Sequence, residues 1–133
     1  MKSLIAVLSL SVILVSCSKQ AQVIPQNTQK IFYKDGNIAV SSMTAVLKDA
    51  NTVTVSFATM YETNISKIEL MSGSTENQLC TIDEMSVTTN SNQPVNYAVD
   101  DTNLKGSTMY YMLRYTLTNG DWGFTPLVSV AVK

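Results

Sequence analysis

From Lys30 onward the apolar residues of this chain recur at every second position, and a period of two admits β-strands and excludes long helices. Thr52–Met60 alternates cleanly, with Val53, Val55, Phe57 and Thr59 on one face and Thr52, Thr54, Ser56 and Ala58 on the other. Ser107–Thr118 repeats the pattern: Met109, Tyr111, Leu113, Tyr115 and Leu117 point inward, and Tyr110, Met112, Arg114 and Thr116 outward. Asn119-Gly120 follows, two residues that tolerate positive φ, so a hairpin turns the chain into a strand over Thr125–Val132. Ile65–Met71 places Ile68 and Leu70 inward, while Gln78–Ile82 and Val95–Val99 supply shorter strands. In Ile38–Leu47 the apolar phase slips between Val40 and Met43, which predicts a bulge or a change of sheet near Ser41-Ser42. About seven short strands with regularly spaced turns predict a single antiparallel β-sandwich, an all-β fold. Its expected core is Val53, Val55, Phe57, Ile68, Leu70, Tyr111, Leu113, Tyr115, Val128 and Val130.

The first residues follow a different logic. Lys2 precedes a short apolar run, Leu4–Val15, which is below the ~20 residues a membrane-spanning helix needs. The run ends in Leu14-Val15-Ser16-Cys17, which resembles a bacterial lipoprotein signal with its lipobox. The resemblance implies that residues 1–16 are removed and that Cys17 becomes a lipidated N-terminus. Two or three acyl chains, at ~0.8 kcal/mol per buried methylene, hold a protein on a membrane almost irreversibly. Ser18 stands where aspartate marks inner-membrane retention in such lipoproteins, so the outer membrane is the expected destination. Residues 17–29, rich in Gln, Ser, Asn and Thr, read as a flexible tether with an r.m.s. span of ~20 Å. The folded domain then covers residues 30–133.

Composition narrows the chemistry. The net charge is −1 at pH 7, and loss of Lys2 with the signal moves it to about −2, so no basic surface exists to displace counterions from nucleic acid. Histidine, the side chain most used for proton transfer and metal ligation near neutral pH, is absent. Cys80 is the only cysteine besides Cys17, which leaves no internal disulfide and reads as a small buried hydrophobe.

Within Thr44–Val130, the runs Ala50–Asn64 and Lys67-Ile68-Glu69-Leu70 are joined in order by Tyr110-Tyr111-Met112-Leu113, Asn119-Gly120 and Leu127-Val128-Ser129-Val130. Together they resemble a fibronectin type III-like, immunoglobulin-like module of the kind found in secreted Bacteroidetes proteins. Phe57 stands where such modules usually carry a core Trp, and Met112 where an arginine often follows the paired tyrosines. No C-terminal sorting domain follows, so the resemblance implies a lipid anchor in its place. It also implies a scaffold or binding role, with no catalytic residues to carry over.

Candidate sites are few. Asp100-Asp101 with Asn103 reads as a solvated strand-end turn, since the further oxygen donors calcium requires are missing from a loop of suitable length. The remaining carboxylates form no recognisable acid–base pair, and neither an enzymatic activity nor a cofactor is expected. Trp122, just past the hairpin turn, and the outward Tyr110 are the candidate ligand contacts, because a flat exposed ring can stack on a sugar. The competing reading folds Trp122 over the open end of the sandwich. Two functions follow: an envelope interaction module for another envelope protein, or a lipid-anchored module that binds polysaccharide through Trp122.

Overall fold

The computed structural model describes residues 32–133; the expected signal peptide, Cys17 and the expected tether lie outside the described residues. The strands are β1 (Tyr33–Lys34), β2 (Ile38–Asp49), β3 (Thr52–Glu62), β4 (Ile65–Thr75), β5 (Gln78–Ser86), β6 (Val95–Asp101), β7 (Thr108–Leu117), β8 (Trp122–Phe124) and β9 (Val128–Ala131). All pairings are antiparallel. One sheet runs β1-β2-β3-β6; the other runs β5-β4-β7, with β8 and β9 both along the far edge of β7. The two sheets close a common apolar core, so the fold is a β-sandwich. Because β8 and β9 are halves of one edge strand and β1 is two residues long, the count matches the seven strands expected.

All ten expected core residues are buried. Strict alternation makes this possible, because a strand with one apolar face has only one way to sit on a sandwich. β2 adds Ile38, Val40, Met43 and Ala45 to the core. Its pairing with β3 shifts between Ala39 and Val40 and again between Val40 and Ser42. The expected bulge is therefore at Ser41, and the extra residue brings Val40 and Met43 to the same side. At the far end of β3, Asn64 takes φ of 54°, a left-handed conformation that asparagine tolerates, and turns the chain toward the second sheet.

Several expectations need correction. The strand predicted over Thr125–Val132 is interrupted, since Pro126 lacks an N–H and cannot stay in the ladder. Buried Thr125 bridges the gap: its N–H donates to the Leu113 carbonyl at 2.9 Å, and its Oγ1 accepts from Leu113 N–H at 3.0 Å. Cys80 is exposed instead of buried. It lies on the edge strand β5, where no facing strand covers it, and it opens on a hollow of about 230 Å3 beside Ser72 and Met109. Asp101 is not solvated but buried, accepting hydrogen bonds from Tyr111 Oη at 2.9 Å and from Asn103 N–H at 3.0 Å. Asp100 faces outward and is held by Lys48 at 2.8 Å and Thr54 at 2.6 Å.

Candidate binding face

Register decides what meets on the outer face of the larger sheet. Arg114 of β7 lies between Glu69 of β4 and Phe124 of β8, and Thr116 lies between Lys67 and Trp122. Met71 and Met112 pair one step further along. The result is a patch with an aromatic side and a charged side. Trp122 is 58% exposed and Phe124 39%; their rings meet edge-on with centroids 5.2 Å apart. The Arg114 guanidinium sits 5.3 Å from the Trp122 centroid, within cation–π range.

Beneath the rings lies an incompletely satisfied ionic cluster. Glu69 is buried on this outer face, with Lys67 at 3.6 Å, Arg114 Nε at 3.8 Å, and Thr81 donating to its Oε1 at 3.2 Å. Lys67 also reaches Glu84 at 3.2 Å. Glu69 Oε2, Arg114 Nε and Thr116 Oγ1 are buried and make no hydrogen bond. At 3.8 Å the Glu69–Arg114 pair attracts electrostatically but falls outside hydrogen-bond length. These atoms are closed to solvent, so the polar groups this patch presents outward are the part-exposed Arg114 and Lys67 side chains.

Gly123, between the two aromatics, points inward over Tyr115, and a Cβ there would overlap the Tyr115 ring and hydroxyl. That hydroxyl hydrogen-bonds Asp35 and lies 2.8 Å from the Tyr33 hydroxyl. Asp35 also accepts from the backbone N–H groups of Asn37 and Ile38 at 2.7 and 2.8 Å, while its carbonyl accepts from Tyr61. Burial raises the Asp35 pKa, but the hydrogen bonds from Tyr115, Asn37, Ile38 and Tyr33 outweigh it and hold the carboxyl below its ordinary 3.8. Burial first, then the bond to Asp35, pushes the Tyr115 hydroxyl up. This network ties β7, on whose Tyr115 Gly123 of β8 packs, to the β1–β2 hairpin.

Trp122 thus stands on the sheet face and not over the open end of the sandwich. Tyr110 is on the same face, half-buried, but it pairs with Gly73 and Ser129. It lies six residues along β7 from the partner of Trp122, about 20 Å at ~3.4 Å per residue. The fold therefore does not bring Tyr110 and Trp122 together; it places Phe124 and Arg114 beside Trp122. The outward phase of Arg114 was legible in the sequence, whereas its contact with Trp122 depends on the β7–β8 register.

Comparison with known proteins found no matching family model, no matching curated protein and no matching solved structure. Among the described residues, no three His, Cys, Asp or Glu side chains are grouped to hold a metal ion, and no helix is long and apolar enough to cross a membrane.

Proposed function

We propose that the protein is a non-catalytic interaction module of the bacterial cell envelope, attached to the outer membrane through a lipid on Cys17, and that its Trp122–Phe124–Arg114 face contacts an envelope protein. The exposure of an aromatic pair beside an arginine carries this reading. Trp and Arg are the residues most enriched at interface hot spots, and a rigid platform loses little entropy on binding. The resemblance of Thr44–Val130 to fibronectin type III-like modules supports the same role. In cells expressing the full chain, a photo-crosslinking residue at Phe124 should capture a defined envelope protein, and adding Trp122→Ala should abolish the adduct. An adduct pattern unchanged by Trp122→Ala overturns the assignment of the face. Cys17→Ser should release the protein from the membrane fraction, and retention there refutes the anchor.

A second reading is favoured by the 58% exposure of Trp122: the flat ring stacks on a polysaccharide, with the part-exposed Arg114 and Lys67 pairing its hydroxyls. Co-sedimentation of the full chain with chitin, cellulose and peptidoglycan, lost in Trp122→Ala, is its expected signature. Absence of binding by the wild-type chain rejects it.

A further inference from the structure

The sandwich has four lateral edges, and three are visibly protected against pairing with another chain. β1 covers only Ala39 and Val40, and the rest of the β2 edge is irregular at Ser41 and at Lys48 and carries Lys48 and Asp49, while the β8–β9 edge is broken at Pro126. β5 carries register irregularities at Leu70/Met71 and Ser72/Thr75 and presents Asp83 and Glu84. Short edges, prolines, bulges and charges are the devices that block edge-to-edge association. β6 lacks most of them. It pairs with β3 over all seven residues without a register shift, and among the described residues no turn or loop backbone hydrogen bond falls on 95–101. Of its two charges, Asp101 is turned inward onto Tyr111, and Asp100 is already matched by Lys48 at 2.8 Å.

We propose that β6 is a self-association edge, pairing antiparallel with β6 of a second copy about a twofold axis at Ala98. Ala98 is the middle residue of Val95–Asp101, so this is the register that pairs the whole strand. In it, Tyr97 faces Val99 of the second copy, an aromatic–β-branched pair on the core side, and Asn96 faces Asp100, whose carboxylate accepts from the Asn96 amide. Val95 faces Asp101 at the strand ends. The pair on the axis is Ala98 with Ala98, small and exposed, which allows close approach. Tyr97 and Val99 are only half-buried in the single copy, and the added strand covers them. The two β1-β2-β3-β6 sheets become one continuous sheet, while the Trp122 face, on the other sheet, stays free on both copies.

The first test uses the full chain in cell envelopes, in a Cys80→Ser background. Residues opposite each other on the axis have Cα atoms about 4.5–5.5 Å apart, within disulfide reach. Ala98→Cys should give a disulfide-linked dimer on mild oxidation. Ser56→Cys, one strand further in, places the two thiols about 14 Å apart at ~4.8 Å per strand and should not. Absence of the Ala98→Cys dimer, or equal yields from both variants, overturns the proposal. The second test is sedimentation of the detergent-solubilised chain. Asn96→Asp sets like charges opposite each other twice and should weaken the dimer about tenfold. Adding Asp100→Asn restores one Asp and one amide in each pair and should recover the wild-type dimer; no loss in the single variant, or no recovery in the folded double variant, refutes this register.

Discussion

Tyr111→Phe isolates one hydrogen bond in the core and offers the sharpest check on the packing. Tyr111 is fully buried, and its hydroxyl donates to Asp101 Oδ2 at 2.9 Å while Asp101 itself is 4% exposed. Burial first, then the Asp101 charge, raises the Tyr111 pKa, so the group is a neutral donor throughout the physiological range. Phenylalanine keeps the ring and removes the donor, leaving a buried carboxylate oxygen unpaired while Oδ1 retains Asn103 N–H. A hydrogen bond to a charged group contributes ~1.5–3 kcal/mol, and stranding the acceptor places the loss at about 2–3 kcal/mol. Water entering the hollow along Val99–Asn103 sets the lower end of that range. For a domain of this size the thermal midpoint falls by roughly 10–20 °C. Urea denaturation of wild type, Tyr111→Phe, Asp101→Asn and the double variant gives the coupling, expected at about 1 kcal/mol or more because a neutral amide costs less to leave unpaired than a carboxylate. A Tyr111→Phe loss within about 0.5 kcal/mol of zero, or strictly additive variants, would refute the reasoning.

Phe57, 2% exposed and stacked on Tyr97 with centroids 4.6 Å apart, should cost ~3–5 kcal/mol when replaced by Ala, and an unchanged melting temperature would contradict the facing of β3. Gly123→Ala drives a Cβ into Tyr115 and should destabilise by about 1–3 kcal/mol; a melting curve equal to wild type would show that β8 sits further from β7 than described. On the acid side, the depressed Asp35 pKa means its stabilisation is present above the ordinary 3.8 and lost as pH falls through the lower folded value. Asp35→Asn should therefore flatten the acid limb of a stability–pH curve, and an unaltered limb contradicts the network. On the alkaline side, burial raises Tyr97, Tyr111 and Tyr115, assisted by Glu62, Asp101 and Asp35 respectively, so their contribution is present below pH 10.0 and lost above it. Tyrosinate absorbance at 295 nm should contain a phase that coincides with unfolding by circular dichroism, and complete ionisation while the fold persists would count against their burial.

The core was legible because β7 and most of β3 alternate strictly and β4 alternates across Ile68 and Leu70, and a period of two carries its own facing. What escaped has a physical reason in each case. β5 runs to Ser86 in place of Ile82, since an exposed edge strand has no apolar face to announce its length. Cys80 was misplaced because residue type reports average burial and not whether a facing sheet reaches that edge. Trp122-Gly123-Phe124 looked like the tail of a turn, because Asn119-Gly120-Asp121 precedes it and Pro126 breaks the alternation after it. The Glu69–Arg114–Trp122 cluster joins positions from three strands, and their meeting depends on register between segments far apart in sequence.

The two outer faces of the sandwich differ in character. On the β2-β3-β6 face, Ser42, Thr44, Ser56, Ala58, Asn96 and Ala98 are among the residues lining a shallow hollow of about 310 Å3. On the β4-β7-β8 face, Trp122, Phe124 and Arg114 stand above the sheet and offer anchors for a ligand. Pairing through β6 consumes nothing on the second face, so a dimer would display two Trp122 platforms on one rigid body. Two linked sites bind a repeated target, whether an assembled envelope protein or a polysaccharide chain, with an affinity raised by effective concentration without any new contact. Variants that break the dimer, such as Asn96→Asp, would then lower avidity for a multivalent target while leaving single-site affinity intact. Trp122→Ala would lower both.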